Sequence, residues 1–185
     1  MSSNYENPAT EFNTMSNTQS LPRERDYRIP LLILAAIIVI IDHVTKRMVV
    51  ARLRPGQTHT VFDHIFRISH VLNTGAAFSF LSDSVSPLAV RYGLIAFSII
   101  AVILVGSMLW RVGREISPTS VGLALILGGA IGNLYDRIHY HFVIDFLEVT
   151  IVHYHWPDFN VADSCIVIGA CLLFIEIFRT ENRAD

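Results

Sequence analysis

The chain has 185 residues, 52% of them hydrophobic and only 16% charged, with a mean hydropathy of +0.46. That balance is foreign to a water-soluble domain and usual in a polytopic membrane protein. A formal net charge of −2 and the lack of a basic stripe argue against a nucleic-acid partner.

Residues 1–28 are polar and poor in aliphatics, which predicts a disordered tail, placed in the cytoplasm by the topology below. No cleavable signal peptide is visible ahead of the first apolar run. Four apolar segments follow, each near the ~20 residues that cross a bilayer. They predict helices at about 30–52, 87–110, 118–137 and 160–178, within one integral membrane domain over 29–180. Pro30, Pro87 and Pro118 stand at helix starts, where the missing N–H costs nothing. Cys165 and Cys171 lie six apart in the last segment and point to different sides of a helix, so they read as small apolar residues rather than a disulfide.

Four crossings put both termini on one side and the loops at about 54–86 and 138–158 on the other. The link "RVGREI" (111–116) is short, which makes the second and third helices antiparallel neighbours. "HTVFDHIFRISHVLN" and "HFVIDFLEVTIVHY" are rich in Val, Ile, Phe and Tyr, a strand-forming composition. The expected fold is therefore mainly α: four transmembrane helices with a small β-rich extracytoplasmic cap. Arg23, Arg25, Arg28, Arg111, Arg114, Arg179 and Arg183 fall on the terminal side. Lys46, Arg47, Arg52, Arg54, Arg67, Arg91 and Arg137 fall on the other, an even split. Discounting Lys46 and Arg137 as partners of Asp42 and Asp136 favours cytoplasmic termini.

Ionisable residues inside membrane segments are costly and are functional candidates by default. Here Asp42, Asn133, Asp136, Arg137, Asp145 and Asp163 converge toward the face that carries the long loops. Asp42 and Lys46 are four apart with the acid first, the favoured order for a helical ion pair. Asn133 and Asp136 share a helical face beside Arg137. "GGAIG" places Gly128 and Gly132 four apart, a close-packing pattern for membrane helices. Asn160 and Asp163 have the spacing of a helix-capping box, and Asp145 in "VIDF" reads equally well as a strand residue turned to solvent. Taken together, Asp145 and Asp163 offer two carboxylates from separate segments at one interface. That is what acid–base hydrolysis needs: one ionised to activate water, one protonated to polarise the carbonyl. The pairs His139/His141 and His153/His155 could each hold one metal if they lie on strands.

At this point the residues resemble a known family, the bacterial lipoprotein signal peptidases or signal peptidase II. The resemblance rests on "DHVTK" (42–46), "NTGAAF" (73–78), "GGAIGNLYDR" (128–137), "VIDF" (143–146) and "FNVADS" (159–164), in that order. It implies an aspartyl endopeptidase of the bacterial inner membrane, with Asp145 and Asp163 as catalytic pair at the extracytoplasmic face. It implies that Asn73, Gly75, Asn133, Asp136, Arg137 and Asn160 shape the site or hold substrate, and that Asp42 and Lys46 support it. The implied substrates are diacylglyceryl-modified prolipoproteins, met in membrane lipid and cut before the lipidated cysteine. Globomycin-type peptides are the implied inhibitors, and no metal or other cofactor is expected. Two other readings remain: a proton- or cation-coupled carrier using Asp42, Asp136 and Asp163, and a metal-dependent hydrolase using the loop histidines. A carrier would place its acids near the midplane between repeated halves, and no such repeat is present.

Overall fold

The computed structural model describes residues 26–75, 86–152 and 154–181. The predicted tail up to residue 25, the far part of the first outer loop (76–85) with most of the NTGAAF stretch, and His153 lie outside the described residues. The elements are α1 (Arg28–Arg52), β1 (Thr58–Phe62), β2 (Phe66–Asn73), α2 (Pro87–Val112), α3 (Pro118–His139), β3 (Val143–Ile151), β4 (Tyr154–His155) and α4 (Val161–Glu181).

All four helices are long and apolar enough to cross a membrane. Their starts follow from local chemistry. Pro87 and Pro118 open α2 and α3 behind the caps Ser86 and Ser117. Ser117 and Ser120 bond reciprocally in a capping box that satisfies two N–H groups the helix cannot. Half of the most apolar stretch of α3 is buried and none of that of α2, so α3 is the central post and α2 a peripheral one that reaches the core near its end, at Leu109. Large side chains such as Phe97, Ile103 and Phe174 face outward. In water they would form an aggregating patch; in hydrocarbon they face their natural solvent.

The bundle is apolar at one end and polar at the other. Leu31 and Ala35 of α1, Leu109 of α2, and Leu123, Ala124 and Leu127 of α3 fill the terminal end with dry packing. From the middle of α3 toward its far end, missing side chains let the neighbours close in. A Cβ on Gly128 would sit 2.7 Å from the Ala35 carbonyl of α1, and one on Gly132 would sit 2.7 Å from Asp42 Oδ2. Gly129 is the third small position, pressed against the Ala162 carbonyl of α4. The Gly-x-x-x-Gly pattern thus names the α1 contact, while the glycine between them makes the α4 contact.

The loops form a four-stranded antiparallel sheet in the order β1-β2-β3-β4. Asn73 pairs with Val143 and Val71 with Asp145, which puts Asn73 and Asp145 diagonally adjacent across the β2–β3 ladder. His70, buried, ties β2 to the end of α1 through its Nδ1 and the Leu53 carbonyl oxygen at 2.8 Å. Ser69 donates to Asp158, and Leu147 bridges Phe159, so the sheet also holds the segment that leads into α4. Neither link was read from the sequence.

Candidate active site

Two polar centres stand side by side where the helices meet the sheet. The first is built on Lys46. Its ammonium lies 2.7 Å from Asp42 Oδ2 and 2.8 Å from Asp136 Oδ2, and it donates to Asn133 Oδ1 at 3.2 Å. Three N–H groups thus meet three acceptors. Asp42 Oδ1 also accepts from the Ala162 amide at 3.0 Å, and Asp136 Oδ2 from the Ile144 amide at 3.3 Å. Lys46, Asp42 and Asp136 are each 1% exposed. Such a burial is tolerable only because every charge is paired. This centre ties α1 to α3, α1 to α4 and α3 to β3.

The Asp42–Lys46 pair has the expected partners, and Asp136 joins it. Arg137, expected to pair with Asp136, has no ion pair among the described residues. Asp136 is taken by Lys46, and Arg137 donates to the Asn133 carbonyl at 3.4 Å. The charges of Asp163, Asp145 and Asp136 all act on it. Arg137 therefore belongs to the second centre as well as to the end of α3.

That second centre holds Asp145 and Asp163, and Asn160 joins them. Asn160 Nδ2 donates to Asp145 Oδ1 at 2.7 Å. Asn160 Oδ1 accepts from the Asp163 amide at 2.9 Å, and the Asn160 amide donates to Asp163 Oδ2 at 3.3 Å. The capping box inferred from spacing is real, and the same residue reaches the other carboxylate. Asn73 Nδ2 donates to Asp145 Oδ2 at 2.8 Å, and Asn133 Nδ2 to Asp163 Oδ1 at 2.7 Å. Gly75 returns an amide to Asn73 Oδ1 at 2.9 Å, from a backbone at φ 92° where a side chain would strain. Every site residue named from the sequence is thus in one of these two centres.

The exposed-strand alternative for Asp145 is ruled out: the residue is 2% exposed. Burial pushes its carboxyl up to about 6. Bonds from Asn73 and Asn160 oppose that rise and the nearby Asp163 adds to it. Asp163 is only partly buried, so water can reach it.

The His139/His141 pair loses its geometric premise, while the His153/His155 pair includes a residue outside the described ones. His139 is the last residue of α3 and stacks on Tyr135, while His141 takes a left-handed turn at φ 72° beyond the helix end. They do not share a strand face. His155 meets Thr150 at 3.0 Å. Among the described residues no group of three or more His, Cys, Asp or Glu side chains is placed to hold a metal.

Comparison with known proteins identifies the family. A family model described as signal peptidase II matches residues 34–179. The lipoprotein signal peptidase of Pseudoalteromonas atlantica is 41% identical over 155 residues, covering 82% of this chain and 91% of that protein. The one from Solibacter usitatus is 41% identical over 150 residues, covering 81% and 91%. A bacterial membrane enzyme solved by the in meso method at 2.3 Å matches with a TM-score of 0.75 at 27% identity, covering 88% of this chain and 96% of that one. The chain, a multi-pass membrane protein, belongs to the signal peptidase II family.

Proposed function

We propose that the chain is a membrane aspartyl endopeptidase that removes the signal peptide from diacylglyceryl-modified prolipoproteins, cutting before the lipidated cysteine. The observation that carries this reading is the pair of carboxylates, one from a strand and one from a helix start, linked by Asn160. In this reading Asp163, the more accessible, takes a proton from water as the water attacks the scissile carbonyl. Asp145, with its raised carboxyl pKa, carries the other proton and gives it to the carbonyl oxygen. Collapse of the tetrahedral intermediate re-forms the C=O and breaks the C–N bond: one hydroxyl proton returns to Asp145, and the leaving amine takes the proton held by Asp163. One proton carried by one of the two acids is what this cycle needs at its start.

Asn73, Asn133 and Asn160 aim and space the pair, Gly75 shapes the loop beside it, and Arg137 is the cation facing a peptide carbonyl or lipid oxygen. Asp42, Lys46 and Asp136 hold the three helices that carry these groups. The substrate arrives with two acyl chains in membrane lipid, worth roughly 0.8 kcal/mol per buried CH₂, so a site at the helix ends meets its peptide at headgroup level. A globomycin-type cyclic peptide would compete there. We place the peptidase domain at 29–180 in the bacterial inner membrane, the pair extracytoplasmic and the termini cytoplasmic. The neutralised Lys46 and the Arg67–Glu148 pair reduce the effective charge on the outer side, in keeping with that orientation.

The test is cleavage of a diacylglyceryl-modified prolipoprotein by purified protein, followed by mass spectrometry, with and without chelator. The expected product is cut before the lipidated cysteine and chelator has no effect. Loss of activity with chelator would move the reading to a metal-dependent hydrolase.

A further inference from the structure

The dyad-side end of α1 carries three arginines that neither polar centre uses. Arg47, Arg52 and Arg54 are all exposed, and none has a carboxylate within ion-pair range among the described residues. They line one cleft of about 930 Å³ between the ends of α1 and α3, away from Asp145 and Asp163. Its opposite wall is aromatic: Tyr135 packs edge-on to His43 at 5.1 Å and to Tyr140 at 6.2 Å. A second trough of about 280 Å³ lies next to it on the α1–α3 seam, past Val39, Ile40 and Val44, over a floor of Gly132 and the Lys46-neutralised acids. His43 and Tyr135 line both, so the trough adjoins the cleft.

We propose that this cleft and trough bind one anionic glycerophospholipid, its phosphate among Arg47, Arg52 and Arg54 and an acyl chain along the α1–α3 trough. The charge calls for an anion, and none of the described carboxylates lies within ion-pair range. The aromatic wall belongs to the headgroup level, where Tyr is at home. The adjoining apolar trough distinguishes a lipid from a free phosphate, which would need only the upper cleft. Under the proposed orientation these arginines also run against the positive-inside bias, and a bound anion offsets that. The site does not depend on the peptidase reading, because binding is read without cleavage.

The experiment is native mass spectrometry of the full chain released from mixed phosphatidylglycerol–phosphatidylcholine nanodiscs. Wild type is compared with the Arg47→Gln/Arg52→Gln/Arg54→Gln variant and with Arg111→Gln/Arg114→Gln at the other membrane face. Wild type should retain one phosphatidylglycerol in preference to phosphatidylcholine. Loss of the three charges should cut that preference roughly 100-fold, whereas the distant pair should not change it. Undiminished preference in the triple variant overturns the proposal. So does displacement of the lipid by millimolar inorganic phosphate, which would make the upper cleft a phosphate site. As a check that needs no variant, a headgroup-photoactivatable phosphatidylglycerol on wild type should label peptides within 43–54 and 135–142. Labelling confined to other helices overturns the assignment.

Discussion

The Lys46 centre and the Asp145–Asp163 centre use the same parts differently. Each brings two carboxylates from separate elements into a buried polar cluster, and Asn133 touches both. In the first, an ammonium stands between the acids. In the second, the hydrogen bonds to the acids come from amides, of Asn160, Asn73 and Asn133, and the nearby Arg137 makes no ion pair with either among the described residues. A cation between two acids fixes both as anions and locks the helices. An amide bridge holds position without settling charge, so one acid can keep a proton that the other lacks. The cation makes a joint, and the amides make a reactive pair.

The largest expected effect separates the two roles. Asp145→Asn and Asp163→Asn should each lower cleavage by roughly 10³-fold or more while leaving the thermal midpoint close to wild type. A dead variant that is also unfolded would put that aspartate in the joint. Next, Lys46→Met strands two buried anions and should cost about 3–5 kcal/mol in reversible unfolding from mixed micelles. Adding Asp42→Asn and Asp136→Asn should recover much of that loss. If Lys46→Met abolished cleavage without loss of stability, the division between joint and reactive pair would fail.

The subtlest effect is in pH dependence. As pH rises through about 6, Asp145 gives up its proton and kcat/KM should fall, because both acids are then ionised. Asn73 stabilises the ionised form through its Nδ2–H, so Asn73→Ala should move that alkaline limb to higher pH. A limb that stayed put would mean that Asp145 is not the proton carrier. The same shift sets a stability trend. Ionising a group whose folded value lies above its ordinary one costs folding energy, so this contribution fades as pH climbs from 3.8 through about 6.

The four helices were legible because length and apolarity leave little choice in a bilayer. They run α1 28–52, α2 87–112, α3 118–139 and α4 161–181, within about three residues of the expected ends. The strands were legible by composition, but their order and register depend on long-range pairing that composition does not encode. Asp42 with Lys46, and Asn160 with Asp163, are local in sequence, and helical spacing pairs them. Lys46 with Asp136, Asn73 with Asp145 and His70 with Leu53 span far along the chain. Of these residues Asn73 was named only by family resemblance, and His70 by nothing. The His139/His141 alternative falls for a definite reason: α3 runs two residues past its expected end, to His139, so the strand spacing does not apply there.

Asn160 also limits what an engineer could do with this protein. Viewed only as a helix start, its position would accept Ser or Asp with little change in stability. Yet its side-chain N–H reaches from the start of α4 across to Asp145, alongside the one from Asn73; Asp has no donor to replace it, and the single hydroxyl of Ser sits on a side chain too short to cap the helix and span that gap. Thermostability screens should therefore return variants at 160 that fold well and cut poorly, so that selection for robustness and selection for turnover pull this one amide in opposite directions.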